Sequence, residues 1–236
     1  MPSIAIFGAG PATGLSAAHR FGAEGFELHL YARNPQRLEE LGRDLTGTGY
    51  RTHTTRLDLT DIEGVRAAAD DLLSKYGVPD VVLYSPGDTS RLPTGVLTLD
   101  AATVTSWSAL NLLSPVELGN AFVPAMRQRG SGTFVVTQGP AATAVHPDLA
   151  STAIAQAATL HYLRSLHSAV RANGVHIAAL QISGLIDRSD AARLFGGGTF
   201  DGIEFGELHY SDPDRIAQEI WDLSHRDVRE DALVVI

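Results

Sequence analysis

The chain has 236 residues and a formal net charge of −9 from 18 basic and 27 acidic side chains. That length suits one α/β unit with a large core, and the acidic balance excludes broad binding along a nucleic-acid phosphate backbone. The absence of cysteine excludes disulfides, thiolate catalysis and cysteine-ligated metals.

Apolar runs of strand length alternate with stretches of helical period. Ser3 to Phe7 is predicted as a first strand, followed by a Gly-rich turn and a helix through Ala18, Arg20 and Phe21. Glu27 to Ala32 reads as strand two, and Asn34-Pro35 then supplies an N-cap with proline at the first helical position. Tyr50 to Leu57 is predicted as strand three, Asp61 to Tyr76 as a helix ended by Gly77, and Val81 to Tyr84 as a short buried strand. Asp100 to Arg129 reads as one helix bent near Pro115. Gly132 to Thr137 is the next strand, Leu149 to Asn173 a long helix stopped by Gly174, and Val175 to Ile182 the sixth strand. Pro213 to Ser224 forms a helix with Asp212 as candidate N-cap, and Ala232 to Ile236 a last strand. This alternation implies a Rossmann-type, doubly wound parallel sheet of about seven strands with helices on both faces. Residues 1–236 read as one such domain. The irregular stretch 187–211, with Gly196, Gly197 and Gly198 inside it, is either a substrate lid beyond the strand ends or a surface insertion.

The opening segment MPSIAIFGAG has no basic stretch leading into an apolar run, and no apolar run reaches the ~20 residues of a membrane span. The expectation is a soluble cytoplasmic protein. Lys75 is the only lysine, every other basic residue being arginine; such usage fits a GC-rich bacterial genome.

The first turn reads Gly8-Ala9-Gly10-Pro11-Ala12-Thr13-Gly14. Placed between a strand and a helix, glycines let the backbone approach a pyrophosphate at a helix N-terminus. Gly8, Gly10, Pro11, Thr13 and Gly14 are therefore candidate cofactor-binding residues. At the tip of strand two, where NAD-specific proteins place an acid, stands Arg33. A guanidinium there suits a 2′-phosphate, so NADP(H) is the expected cofactor. Asp58 is either an acceptor for the adenine amino group or a turn residue.

These pieces, in this order, resemble the short-chain dehydrogenase/reductase family over nearly the whole chain. The resemblance continues in Leu57-Asp58-Leu59, Tyr84-Ser85-Pro86-Gly87, Asn111-Leu112-Leu113, Ile182-Ser183-Gly184-Leu185-Ile186 and Asp212-Pro213-Asp214-Arg215-Ile216-Ala217. It implies that Ser85, Gly87 and Ile186 also line the cofactor site. Two departures stand out. Ala12 replaces a family glycine, and Tyr84-Ser85-Pro86 replaces the family's Asn-Asn-Ala.

The family's usual carbonyl reduction uses a Ser, a Tyr, a Lys four residues later, and an Asn at a helix kink whose freed carbonyl holds a water. Only Asn111 matches. The Lys position is Gln156, the Tyr position Thr152, and the Ser position falls near Gly139 with Gln138 beside it. A threonine hydroxyl is far too weak an acid to copy a tuned tyrosine. Lys75 ends a helix remote in sequence. His146, with Asp148 nearby, is either a substitute proton donor or a turn histidine; Tyr84, Tyr162, Tyr210 and His209 are further candidates, and Asp187 and Arg188 open the lid. No metal constellation stands out.

Three functions fit this reading. One is an NADP(H)-dependent oxidoreductase with non-standard catalysis, acting on a small carbonyl, imine or enone. Another is a non-redox cyclase, isomerase or dehydratase on the same scaffold. The third is a catalytically silent NADP(H)-binding protein. Family members pair through two long helices, here about 103–129 and 149–173, so a homodimer or homotetramer is expected.

Overall fold

The computed structural model describes residues 1–196, 199–200, 203–204, 209–225 and 231–236. In chain order the elements are β1 Ser3–Phe7, α1 Thr13–Gly22, β2 Glu27–Ala32, α2 Pro35–Gly47, β3 Thr52–Arg56, α3 Ile62–Tyr76 and β4 Val81–Tyr84. They continue with α4 Ala101–Ser108, a π-helical turn Ala109–Leu113, α5 Ser114–Arg129, β5 Gly132–Gln138, α6 Ala150–Val170 and β6 Val175–Gln181. The last are β7 Leu185–Ile186, α7 Asp190–Phe195, β8 Thr199–Phe200, β9 Ile203–Glu204, β10 Tyr210–Ser211, α8 Pro213–His225 and β11 Leu233–Val235.

Seven strands form one parallel sheet in the order β11-β6-β5-β4-β1-β2-β3. The expected Rossmann-type arrangement is therefore present. Side chains alternate across each strand. In β1, Ala5 and Phe7 join one core with Leu118, Phe122 and Leu163 of α5 and α6, while Ile4 and Ile6 join another with Phe21, Leu41 and Ile220 of α1, α2 and α8. Phe7 stacks on Tyr31 with ring centroids 4.3 Å apart. The strand order reverses between β1 and β4, and that switch point opens a crevice at the carboxyl ends of the strands.

The helix starts follow the local chemistry. Asn34 Oδ1 accepts from Arg37 N, Asp61 Oδ1 from Gly64 N, Asp100 Oδ1 from Thr103 N and Asp212 Oδ1 from Asp214 N. Gly77 and Gly174 stop their helices at positive φ.

Three expectations need correction. Strand three begins at Thr52, because Tyr50 N still bonds back to Leu45 O in the closing turn of α2. The span 100–129 is not one bent helix but α4, a π-turn and α5. Its long helical partner is α6 alone, flanked by 3-10 turns at Pro147–Leu149 and Arg171–Asn173. The stretch 187–211 is also not wholly irregular: it contains α7, whose N-cap Ser189 accepts from Ala192 N, and β10, which pairs with β7. Gly197 and Gly198 of that stretch lie outside the described residues. Among the described residues, no helix is long and apolar enough to cross a membrane.

Candidate functional site

The crevice at the switch point is a cleft of about 360 Å³. Its floor is the turn after β1, where Gly8 N and Ala9 N both donate to Tyr31 O, 2.9 Å away. Gly8 has φ +93°, and a β-carbon on it would stand 2.6 Å from the Pro86 backbone. A β-carbon on Gly14 would stand 2.8 Å from Ala9 Cα. These two glycines are required by the fold itself. Gly10 differs, since its nearest neighbour in that sense is Gly8 O at 4.0 Å; its open face borders the cleft. Ala12 sits at φ −106°, outside the left-handed region, so its β-carbon carries no left-handed penalty.

A dinucleotide diphosphate fits this floor. α1 starts without any side-chain cap, and Thr13 Oγ1 is buried with no partner among the described residues. An uncapped helix start and an orphan hydroxyl are donors waiting for an anion.

All ten residues expected to hold a cofactor line this one cleft: Gly8, Gly10, Pro11, Thr13, Gly14, Arg33, Asp58, Ser85, Gly87 and Ile186. Arg33 stands half exposed at the β2 tip, with Nη2 3.7 Å from Asp88 Oδ1. Burial pushes the Asp88 carboxyl up, but hydrogen bonds from Ser90 and the guanidiniums of Arg33 and Arg91 outweigh it and hold Asp88 below the usual carboxylate range. Asp58 Oδ1 accepts from Thr60 N and Thr60 Oγ1, which lowers its pKa. Asp58 is thus a turn residue that also faces the cleft.

The expected lid segment forms one wall of the cleft through Ser189, Asp190 and Ala191. Its ties are ionic. Asp190 pairs with Arg37 of α2, and Arg188 pairs with Asp214 of α8 at 2.9 Å. Arg188 has φ 63°, the one non-glycine residue at positive φ among the described residues.

At the inner end, sharing Pro86, Thr137, Gly184 and Ile186 with the cleft, lies a smaller cavity of about 170 Å³. It is lined also by Tyr84, Asn111, Val136, Gln138, Gly139, Gln156 and Ile182. Asn111 and Gln156 are therefore brought together as expected, while Thr152 and His146 line neither cavity. Expected as a substitute proton donor, His146 is exposed at the start of a 3-10 turn, where its carbonyl accepts from Leu149 N, and its side chain is not among those lining the inner cavity.

The other candidate acids are also placed elsewhere or held. Tyr84 is buried, and burial pushes its hydroxyl far above the ordinary range while it donates to Leu110 O. Tyr162 packs toward α5 beside Gly119, and burial raises its pKa too. His209 and Tyr210 line neither cavity, and Lys75 Nζ bonds Asp71 at 2.8 Å on the exposed end of α3.

The π-turn explains the polar wiring of the inner cavity. Ser114 N bonds Ala109 O instead of Leu110 O, which leaves the Leu110 carbonyl free. Pro115 has no N–H for the carbonyl four residues back, which frees Asn111 O. Tyr84 Oη donates to Leu110 O and Thr159 Oγ1 donates to Asn111 O, each at 2.5 Å. The freed carbonyl, expected to hold a water, is thus bonded by a protein hydroxyl. Sequence reasoning missed Thr159, which lies three residues after Gln156 on a helix face that carries no signature. Among the described residues, no group of three or more His, Asp or Glu side chains is placed to hold a metal.

Comparison with known proteins agrees with this fold. The profile of the short chain dehydrogenase family matches residues 2–193. Dehydrogenase/reductase SDR family member 7B of Danio rerio is 27% identical over 228 residues, covering 92% of this chain and 72% of that protein. The alcohol dehydrogenase of the archaeon Thermococcus sibiricus, solved with 5-hydroxy-NADP, superposes with a TM-score of 0.78 at 21% identity, covering 100% of this chain and 96% of that one. A short chain oxidoreductase of Pseudomonas aeruginosa PAO1, described as containing an atypical catalytic center, superposes with a TM-score of 0.78 at 20% identity, covering 94% and 90%.

Proposed function

Because the chain belongs to the short-chain dehydrogenase family, we propose that it is an NADP(H)-dependent reductase of a small carbonyl, imine or enone that works without the family's Ser-Tyr-Lys proton relay. The observation that carries this reading is the continuity of two spaces. A cleft lined by all ten expected cofactor residues runs into a cavity whose described lining includes no carboxyl, lysine or histidine, and whose tyrosine, Tyr84, spends its hydroxyl on Leu110 O.

In this reading the bound nicotinamide supplies a hydride. The protein holds the diphosphate on the uncapped start of α1, with Thr13 Oγ1 as an added donor. Arg33 releases Asp88 and pairs with the 2′-phosphate. Gln156 and Asn111 border the reacting end, and hydride transfer there depends on positioning. The whole chain acts as one nucleotide-binding domain, and 187–211 serves as the lid over substrate.

Assembly is read the same way. Ile154, Ala157, Ala158 and His161 form an exposed face on α6, and Leu113 is exposed beside α5. Small residues allow close helix approach, which supports a homodimer or homotetramer; a monomer in light scattering would remove that part.

The test is a fluorescence titration of NADPH, with NADH as control, on the wild type and Arg33→Ala. NADPH should bind more tightly than NADH, and Arg33→Ala should remove that preference while leaving NADH affinity unchanged. Binding without turnover on carbonyl, imine and enone panels would identify a silent binding protein. No binding of either nucleotide would favour a non-redox enzyme.

A further inference from the structure

The inner cavity leaves two buried amide oxygens without a donor. Four of its side-chain donors are spent within the protein, while Gln156 Nε2 makes no bond among the described residues. Gln138 Nε2 donates to Gln156 O at 2.9 Å, Asn111 Nδ2 to Trp107 O at 3.1 Å, Tyr84 Oη to Leu110 O, and Thr137 Oγ1 to Ser85 Oγ at 2.9 Å. Two of its acceptors are not spent. Gln138 Oε1 and Gln156 Oε1 are both buried with no partner among the described residues. The Gln138 bond to a carbonyl also fixes which way that amide faces, since only its nitrogen can donate. Gln156 Oε1 stands 3.6 Å from where a β-carbon on Gly139 would be, so the bare glycine leaves room beside it. Buried acceptors without partners are costly until a donor reaches them.

We infer that this cavity selects a protonated imine, so that the reductase proposed above is an iminium reductase. The inference rests on that reading. Hydride addition to a ketone creates an alkoxide, and addition to an enone creates an enolate. Both need donors and then a proton, and here two amide oxygens would face the new negative charge. An iminium ion reverses the requirement. Its single N–H donates to Gln138 Oε1 or Gln156 Oε1, and both carbonyl dipoles favour its positive charge. Its carbon accepts the hydride of NADPH, the C=N π pair moves onto nitrogen, and a neutral amine and NADP⁺ result. No proton has to be supplied during the step, which matches a cavity whose one phenol, Tyr84, is held by Leu110 O and whose lining has no carboxyl, lysine or histidine.

The experiment compares 2-methyl-1-pyrroline with cyclopentanone and cyclohexenone as substrates for the intact chain, following NADPH oxidation, after NADPH binding has been measured by fluorescence. The imine should be reduced about 100-fold more efficiently than either oxygen electrophile. Its kcat/KM should fall as pH rises above the pKa of the imine itself. Calorimetry with NADP⁺ present should show 2-methylpyrrolidinium binding about tenfold more tightly than cyclopentanol. Gln156→Glu should strengthen that binding and Gln156→Lys weaken it, a pair of opposite signs that a merely structural role would not produce. If NADPH fails to bind, the reductase reading falls and this inference with it. If NADPH binds but ketone is reduced as well as imine, or the cation binds no better than the alcohol, this inference alone is overturned.

Discussion

Two glycines, two residues apart, should respond to the same substitution in opposite ways. Gly8→Ala places a methyl 2.6 Å from Pro86 Cα and N and 2.8 Å from Ser85 C, all backbone atoms that no side-chain rotation can relieve. It also forces an L residue to φ +93°. The dihedral strain is about 1–2 kcal/mol and the overpacking about 1–3 kcal/mol, so the loss is about 3 kcal/mol. For a chain of this size that lowers Tm by about 6–12 °C. Gly10→Ala meets nothing closer than Gly8 O at 4.0 Å and has no positive φ. Its stability should change by less than about 0.5 kcal/mol, yet its methyl occupies the side from which a diphosphate would approach. NADPH affinity should fall about tenfold or more, equivalent to about 1.4 kcal/mol. Thermal melting by circular dichroism, paired with NADPH fluorescence titration, reads both quantities. A Gly10→Ala protein that binds NADPH as the wild type does would refute the placement of the diphosphate. A Gly8→Ala protein with unchanged Tm would refute the steric argument.

Thr159→Val removes the hydroxyl that bonds Asn111 O and leaves a buried carbonyl unpaired; the cost should be about 1–3 kcal/mol in urea unfolding, and an unchanged midpoint would contradict it. His29, buried against the His53 ring and with Nε2 unpartnered, has its pKa lowered to about 4, chiefly by burial and then by His53. The fold therefore favours neutral His29, whose contribution is complete above about pH 6.5 and is lost as pH falls toward 4. Discounted for water reaching half-open His53, the loss is about 2 kcal/mol, and His29→Phe should flatten that part of a pH series of melts. Asp190→Asn breaks the tie between the segment around α7 and Arg37. Global stability should shift by no more than about 1 kcal/mol, while limited proteolysis after Arg188 or Arg193 should accelerate; unchanged cleavage would show that the pair does not hold the segment.

The sequence was most legible where chemistry is local. Asn34, Asp61, Asp100 and Asp212 mark helix starts because a short polar side chain satisfies N–H groups within its own turn. The glycines of the first turn were readable because a backbone that comes so near another strand tolerates no side chain. The ten cofactor candidates converge on one cleft because they lie within three residues of a strand end or a helix start; periodicity marked those of the first turn, Arg33 and Asp58, while Ser85, Gly87 and Ile186 came from the family resemblance. The alternation of elements likewise sufficed for a parallel sheet covered on both faces.

Other features depended on contacts between residues far apart in the chain. His146 read as a candidate acid, and only the folded turn before α6 shows it exposed and outside the lining of the inner cavity. Pro115 announced a bend, but the shift to a π-turn, and the choice of Tyr84 and Thr159 to satisfy the two freed carbonyls, required β4 and α6 to be packed against it. The idle oxygens of Gln138 and Gln156 belong to the same class. A sequence states which donors and acceptors a chain owns; only the packed fold decides which of them are spent on each other and which are left for a ligand.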